Sequence, residues 1–152
     1  MCCAPASQRK EAAVSPVSGE TSGWLDTNVI LRYLLNDHPD HSARARTLIE
    51  SAEKGERLLR IPTYVICETV YILENRIYTR EQIHDALTRF TAIPGIQADH
   101  LPLVLTALIW YRDRNVDFGD ALLYAECSDG GGVTFSFNRR RFQRLGTGWK
   151  EP

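Results

Sequence analysis

The chain of 152 residues contains 43% hydrophobic and 24% charged residues, which is typical of one soluble globular domain with a single core. Its formal net charge of −1 excludes a protein that attracts nucleic acid through its overall charge, so any contact with RNA requires a local basic patch. No apolar run approaches the length of a membrane span, and no apolar block of a secretory signal follows the start, so we expect a cytoplasmic protein without membrane contact.

The first 23 residues are rich in Ala, Ser, Pro, Gly and charge and show no hydrophobic periodicity. This composition predicts a disordered tail over 1–23, followed by one domain over 24–152. The four cysteines do not have the spacing of metal ligands. Cys2 and Cys3 lie in the tail, whereas Cys67 and Cys127 lie in apolar helical segments and are predicted to be reduced core thiols.

The first half of the domain begins with a short strand over 24–26 that turns directly into a helix. Pro39 disfavours helix at the residue before it, and Gly55 is a natural helix end, so a second helix lies between them. The predicted elements are a helix over 28–35, a helix over 40–54, a strand over 58–61 and a helix over 64–74. The last of these is apolar on most faces and is therefore expected to be buried.

The second half opens with a capping box, because Thr79 is followed three residues later by Gln82. The predicted elements are a helix from 80 to 91, an edge strand over 96–98, helices over 101–114 and 117–127, a glycine turn over 130–132 and a buried strand over 133–137. Strands that alternate with helices indicate an α/β fold with a short central parallel sheet flanked by helices.

Acidic residues mark the places where this sheet is expected to bind ligands. Asp26 lies at the carboxyl end of the first strand, the position at which open α/β sheets place their ligands. It is suited both to capping the following helix and to binding a metal, and Thr27 or Asn28 could serve as the cap instead. Several carboxylates at one such edge would repel one another unless a divalent cation lay between them, which indicates metal-dependent phosphoryl-transfer chemistry.

Three further acids contribute to this pattern. Glu68 has apolar neighbours along its helix, so a carboxylate there is costly unless it is paired or bound to a cation; the alternative is an exposed stripe shared with Tyr64 or Glu74. Asp117 and Asp120 lie three apart at a helix start. Asp117 suits the N-cap, and the helix dipole keeps Asp120 ionised and ready for a cation.

Four segments, in this order and spacing, resemble the PIN-domain nucleases, and among them the small VapC-type toxins of toxin–antitoxin pairs. The segments are 25–35, 61–68, 116–123 and 134–145. The resemblance runs from about Trp24 to the C-terminus. It implies a three-layer PIN-like α/β fold and an endoribonuclease that depends on Mg²⁺ or Mn²⁺.

The resemblance also implies roles for individual residues. Asp26, Glu68 and Asp120 are the expected catalytic metal ligands, and Asp117 and Asn138 are auxiliary. The family usually has an Asp where Asn138 stands, and Ser136 occupies the hydroxyl position before it, where it could orient water or a phosphate. The basic residues Arg139, Arg140 and Arg141 follow at once and are expected to hold the RNA backbone, although a solvated helix face is the simpler alternative. The implied partners are an RNA substrate, a cognate antitoxin that occludes the cleft and a second copy in a homodimer.

Two rival functions remain open. The first is a PIN-like module that has lost catalysis and binds RNA or protein, which Asn138 favours. The second is a phosphatase of the haloacid dehalogenase kind, which also starts with an Asp at a strand end. That chemistry needs a second Asp two residues later, where this chain has Asn28.

Overall fold

The computed structural model describes residues 22–152 and places two short sheets among seven helices. The elements are β1 (Ser22–Trp24), α1 (Thr27–Leu35), α2 (Pro39–Glu53), β2 (Leu58–Ile61), α3 (Thr63–Glu74), α4 (Arg80–Thr91), β3 (Ile96–Ala98), α5 (Leu101–Arg114), α6 (Phe118–Asp129), β4 (Thr134–Phe135), α7 (Arg139–Leu145) and β5 (Trp149–Lys150). Within these residues no helix has both the length and the apolar character needed to cross a membrane.

The main sheet is parallel and has the order β1-β2-β3. Ser22 is paired with Leu58, and Leu59 with Ile96, so β2 is the central strand. Each parallel pair is joined by helices, because a parallel connection must cross the sheet before the chain can return in the same direction. The predicted α/β class with a short central parallel sheet is confirmed.

The core lies where the helices pack on this sheet. Leu59 and Ile61 of β2 point into it, together with Ile30 of α1 and Val65 and Val70 of α3. Helix α3 contacts both α1 and α6, so it joins the first and second halves of the domain. Through these contacts α3, which carries Glu68, packs against α1, which Asp26 caps, and α6, which Asp117 caps.

Most predicted helix bounds are within one or two residues of the observed ones. The capping box at Thr79 and Gln82 is formed in both directions, and α4 begins and ends where expected. Gly55 follows α2 with φ of +77°, a left-handed backbone that glycine adopts easily. These local signals worked because a helix end is determined by the few residues around it.

Several predictions of burial and extent were wrong. Ser22 and Gly23, assigned to the tail, form part of β1; the rest of that predicted tail lies outside the described residues. The buried strand predicted over 133–137 is observed only as the two-residue β4, and it is not fully buried, since Val133, Phe135 and Phe137 are exposed. It pairs with β5, a strand that the sequence did not predict. The thiols of Cys67 and Cys127 are half-buried rather than core.

Helix α3 also differs from its predicted burial. Tyr64, Glu68 and Tyr71 form an exposed stripe on one side, whereas Val65, Ile66 and Val70 are buried on the other. The helix is therefore amphipathic in position although most of its residues are apolar, because two exposed tyrosines cover the side that faces water.

Candidate active site

Asp26 is held at the start of α1 by its own capping interaction. Its Oδ2 accepts hydrogen bonds from the backbone N–H of Asn28 at 3.3 Å and from the Asn28 side-chain amide at 3.2 Å. The cap is thus Asp26 itself and not Thr27 or Asn28. Both bonds go to one oxygen of an exposed carboxylate, so the cap does not conflict with metal binding through the other oxygen.

Glu68 is connected to the start of α1 by Thr27, the residue that follows Asp26. The hydroxyl of Thr27, which is buried, donates to Oε2 of Glu68 at 2.5 Å. Glu68 is exposed, so the expectation of a carboxylate enclosed by apolar groups is wrong and the exposed-stripe alternative is correct. The hydroxyl nevertheless fixes the direction of the carboxylate toward the start of α1. Asp26 and Glu68 are called the first acidic pair below.

Asp117 and Asp120 form the second acidic pair, at the start of α6. Asp117 is the N-cap and accepts from the backbone N–H of Gly119 at 2.9 Å, as predicted. Asp120 lies in the first turn, where the positive end of the helix dipole favours a negative charge. The guanidinium of Arg141 donates to Oδ2 of Asp120 at 3.1 Å and lies 3.9 Å from Oδ2 of Asp117. The hydrogen bond to Asp120 raises the pKa of Arg141 above its usual value.

Asn138 is the N-cap of α7, the helix that carries Arg141. Its Oδ1 accepts from the backbone N–H of Arg141 at 3.4 Å. Its own N–H donates to the hydroxyl of Ser136 at 3.0 Å, so the two residues form one compact turn. Asn138 therefore lies beside the second acidic pair, and its amide oxygen is used to cap the helix.

A polar groove of about 510 Å³, called the arginine groove below, adjoins the second acidic pair. Its lining residues are Glu74, Arg80, Asn115, Asp117, Asn138, Arg140, Arg141 and Arg144. Arg80 is fixed by donation to the carbonyls of Tyr111 and Val116 and by an ion pair with Glu74 at 3.2 Å. Arg144 donates to the carbonyl of Asn115 at 2.7 Å. Four guanidinium groups therefore line a single depression.

Of the predicted basic residues, Arg140 and Arg141 line this groove and Arg139 does not. Arg139 instead pairs with Glu151 at 3.7 Å. Arg80, which lies 60 residues before Arg140, also lines the groove and was not predicted. No local signal marks it, because its place in the groove depends on the packing of α4 against α5.

The donor atoms of these side chains are of the type that binds a hard divalent cation. All the acids offer carboxylate oxygens, which Mg²⁺ and Mn²⁺ prefer, and the Arg141 guanidinium already places a positive charge between two of them. In this structure the two acidic pairs remain apart: within residues 22–152 no three His, Cys, Asp or Glu side chains lie close enough to share an ion. The donor set fits the cation in kind, and a shared ion would require the two pairs to lie closer together than they do here.

Comparison with known proteins agrees with this geometry. The model of the PIN domain family matches residues 24–147, most of the chain. The chain is also 28% identical over 123 residues to a VapC ribonuclease of Aquifex aeolicus (strain VF5), a match that covers 80% of this chain and 90% of that protein. Both findings support the predicted resemblance and a nuclease of the VapC type with a three-layer α/β fold. The chain belongs to the PIN-domain family.

Proposed function

We propose that this protein is a divalent-cation-dependent endoribonuclease and the toxin of a cytoplasmic toxin–antitoxin pair. One observation carries the proposal: Asp120, a carboxylate at a helix start, directly adjoins a groove lined by four arginines. Carboxylates suit the cation that activates water, and arginines suit the phosphates of the substrate. The similarity to a VapC ribonuclease supports the choice of RNA over other phosphodiesters.

The first and second acidic pairs would hold Mg²⁺ or Mn²⁺ through Asp26, Glu68 and Asp120, with Asp117 and Asn138 auxiliary. When bound, the ion would supply an activated water and shield the charge of the scissile phosphate. Thr27 orients Glu68 through its hydroxyl. Asp117 and the start of α6 keep Asp120 in position, and Arg141 balances its charge until a cation arrives.

The RNA backbone would lie along the arginine groove. Arg140 and Arg141 line it and supply cations beside the acids, whereas Arg139, adjacent on α7, would contribute only by leaving its ion pair with Glu151. Because guanidinium groups bind phosphate oxygens without reading base identity, this groove would position the substrate rather than select its sequence. Ser136, which accepts from the N–H of Asn138, keeps the turn at the end of the groove in place.

We further propose an antitoxin that occludes the site and a homodimer. A groove of about 520 Å³ between α1 and α2 begins at Asn28, two residues after Asp26. It is mainly apolar, with Val29, Ala45 and Leu48 in its lining. A segment of a partner protein laid in this groove would reach the first acidic pair. Binding of the purified chain to candidate antitoxins, followed by loss of cleavage, would test the partner.

The test of activity is cleavage of single-stranded RNA by the purified protein with Mg²⁺, Mn²⁺ or EDTA. We expect cleavage with either ion and none with EDTA. The variant Asp120→Asn is the control for a contaminating nuclease, since it keeps size and polarity but removes the charge. Cleavage that persists in EDTA or in this variant would contradict the proposal.

The alternative is a PIN-like module that binds RNA or protein with weakened catalysis. Two observations favour it: an amide stands at position 138, and Arg141 already occupies Asp120. This alternative predicts RNA binding without cleavage in the assay described above. Restoring the charge with Asn138→Asp would then raise activity, which separates weakened catalysis from a complete loss of the site.

A further inference from the structure

An exposed apolar strip lies beside the arginine groove, on β4 and the residues that flank it. Val133, Phe135 and Phe137 are 42%, 65% and 84% exposed, whereas Thr134 between them is buried. Only Thr134 and Phe135 belong to β4; Val133 precedes the strand, and Phe137 follows it in a bend. Two exposed phenyl rings two residues apart are a large apolar area to leave in water. The three residues are called the aromatic strip below.

The backbone holds the aromatic strip in a fixed shape. Phe135 is paired with Lys150 across β4 and β5, and the N–H of Ser136 donates to the carbonyl of Lys150 at 3.0 Å. Beyond it, the N–H of Arg139 donates to the carbonyl of Phe137 at 3.0 Å. Because both ends of the strip are fixed, the rings would lose little conformational freedom on binding a ligand.

The strip ends where the proposed active site begins. Phe137 directly precedes Asn138, which lines the arginine groove and caps the helix that carries Arg141. Exposed cations flank it, with Arg140 on α7 and Lys150 on the neighbouring strand. Aromatic rings next to cations suit a ligand with flat apolar faces and a negatively charged backbone, and a single-stranded nucleic acid has both.

We propose that Phe135 and Phe137 form a stacking platform for two unpaired bases of the RNA substrate. The proposal rests on the nuclease function above and specifies how the RNA is held: by its bases on the strip and by its phosphates in the arginine groove. Exposed aromatic rings serve the same purpose in other RNA-binding domains.

This platform would give affinity with little sequence preference. Every base has a flat face, so stacking tolerates any base, whereas a duplex keeps its base faces covered. The strip should therefore favour unpaired segments of RNA over paired ones. A protein partner covering the same strip would show no such preference, and no response of RNA affinity to the two rings.

The test measures the affinity of the full chain for a labelled single-stranded RNA of about 12 nucleotides, a typical length for such sites. Fluorescence anisotropy follows the binding, and EDTA prevents cleavage during the measurement. We expect Phe137→Ala to weaken binding about tenfold and Phe137→Trp to retain wild-type affinity, because stacking needs only a ring. The salt dependence should not change in Phe137→Ala, whereas Arg140→Gln should lower its slope by about one unit. Ile77→Ala, an apolar truncation at an exposed turn, serves as the matched control.

Equal affinity of Phe137→Ala and wild type would overturn the platform, as would a loss that Phe137→Trp does not reverse. Melting temperatures identify any variant that fails to fold, and Phe135→Ala then provides the second measurement. The two proposals fail separately. A wild type that cleaves RNA while Phe137→Ala binds normally refutes only the platform, and a ring-dependent affinity without cleavage in Mn²⁺ refutes only the nuclease.

Discussion

The first and second acidic pairs are stabilised in different ways. Asp26 and Glu68 accept hydrogen bonds from neutral donors, the amide groups of Asn28 and the hydroxyl of Thr27. Asp120 and Asp117 share the guanidinium of Arg141, a full positive charge at 3.1 and 3.9 Å. Within residues 22–152 the first pair therefore has only neutral hydrogen-bond donors, whereas the second pair has an internal counter-ion.

The two pairs should therefore respond differently to a cation: the first pair attracts it, whereas at the second pair it competes with Arg141. A divalent cation approaching the first pair meets only carboxylates oriented by neutral groups, and Coulomb attraction acts in full. At the second pair the same cation must displace Arg141 or share Asp120 with it. We infer that the first pair provides the attraction for a cation, and that Arg141 determines the cation concentration needed for binding at the second pair.

Removing a charge from either pair should have the largest effect. We expect Asp26→Asn and Asp120→Asn each to lower RNA cleavage at least about 100-fold, because each loses a carboxylate ligand. Asn is as good an N-cap as Asp, so Asp26→Asn should retain the melting temperature of the wild type. Cleavage rates at saturating Mn²⁺, with melting curves, measure both. Wild-type turnover in either variant would refute its assignment as a ligand.

The role of the neutral donor is tested by Thr27→Val. This change keeps the shape of a buried side chain but removes the hydroxyl that directs Glu68. We expect cleavage to fall about 10- to 30-fold, within the range for partners that orient metal ligands. Thr47→Val on the exposed side of α2 removes a hydroxyl that donates only to a backbone carbonyl, and it is the matched control. A similar loss in both variants would show a general effect on folding.

The internal counter-ion is tested by Arg141→Gln. Without the guanidinium, Asp120 and Asp117 are open to a cation, so we expect the dissociation constant for Mn²⁺ without RNA to fall about 3- to 10-fold. Calorimetric titration measures it directly. Arg76→Gln removes a comparable ion pair, to Asp37 at 2.9 Å beyond the end of α3, and should leave the constant unchanged. Unchanged or weaker Mn²⁺ binding in Arg141→Gln would show that Arg141 does not compete.

Asn138→Asp should have the smallest effect. The new carboxylate adds a charge beside the second pair, but position 138 already caps α7 and faces its backbone N–H groups. We expect Mn²⁺ to bind about 2- to 3-fold more tightly, with the cap preserved. Asn36→Asp adds the same charge at the other end of α1 and serves as control. An equal gain in both variants would indicate a change in overall charge rather than a contact with the site.

The sequence predicted the elements that depend on local signals. The capping box before α4 and the glycine after α2 each fixed a helix end, since the residues that decide it are neighbours in the chain. The two-residue strand β5 was missed because so short a segment shows no periodicity. Its partner β4 was predicted as buried from its apolar composition, which does not reveal whether an outer layer covers it.

The sequence predicted which elements carry the four acids, but not the contacts of their side chains. Asp117 is the N-cap of α6, as predicted. The four acids lie at the starts of α1 and α6 and on α3, as expected. The exposure of Glu68 was mispredicted because its apolar neighbours lie on other faces of the helix. The pair between Arg141 and Asp120 joins α7 to α6, and only the packing of the two helices reveals it.

The central claim is that the two acidic pairs hold a shared cation. A double-mutant cycle on the Mn²⁺ dissociation constant tests it most directly, with Asp26→Asn, Asp120→Asn and the double variant measured by calorimetric titration. If one ion is shared, each single change should weaken binding at least about tenfold and the double change little further, because either loss destroys the same site. Losses that multiply fully in the double variant would contradict the claim and show two independent sites.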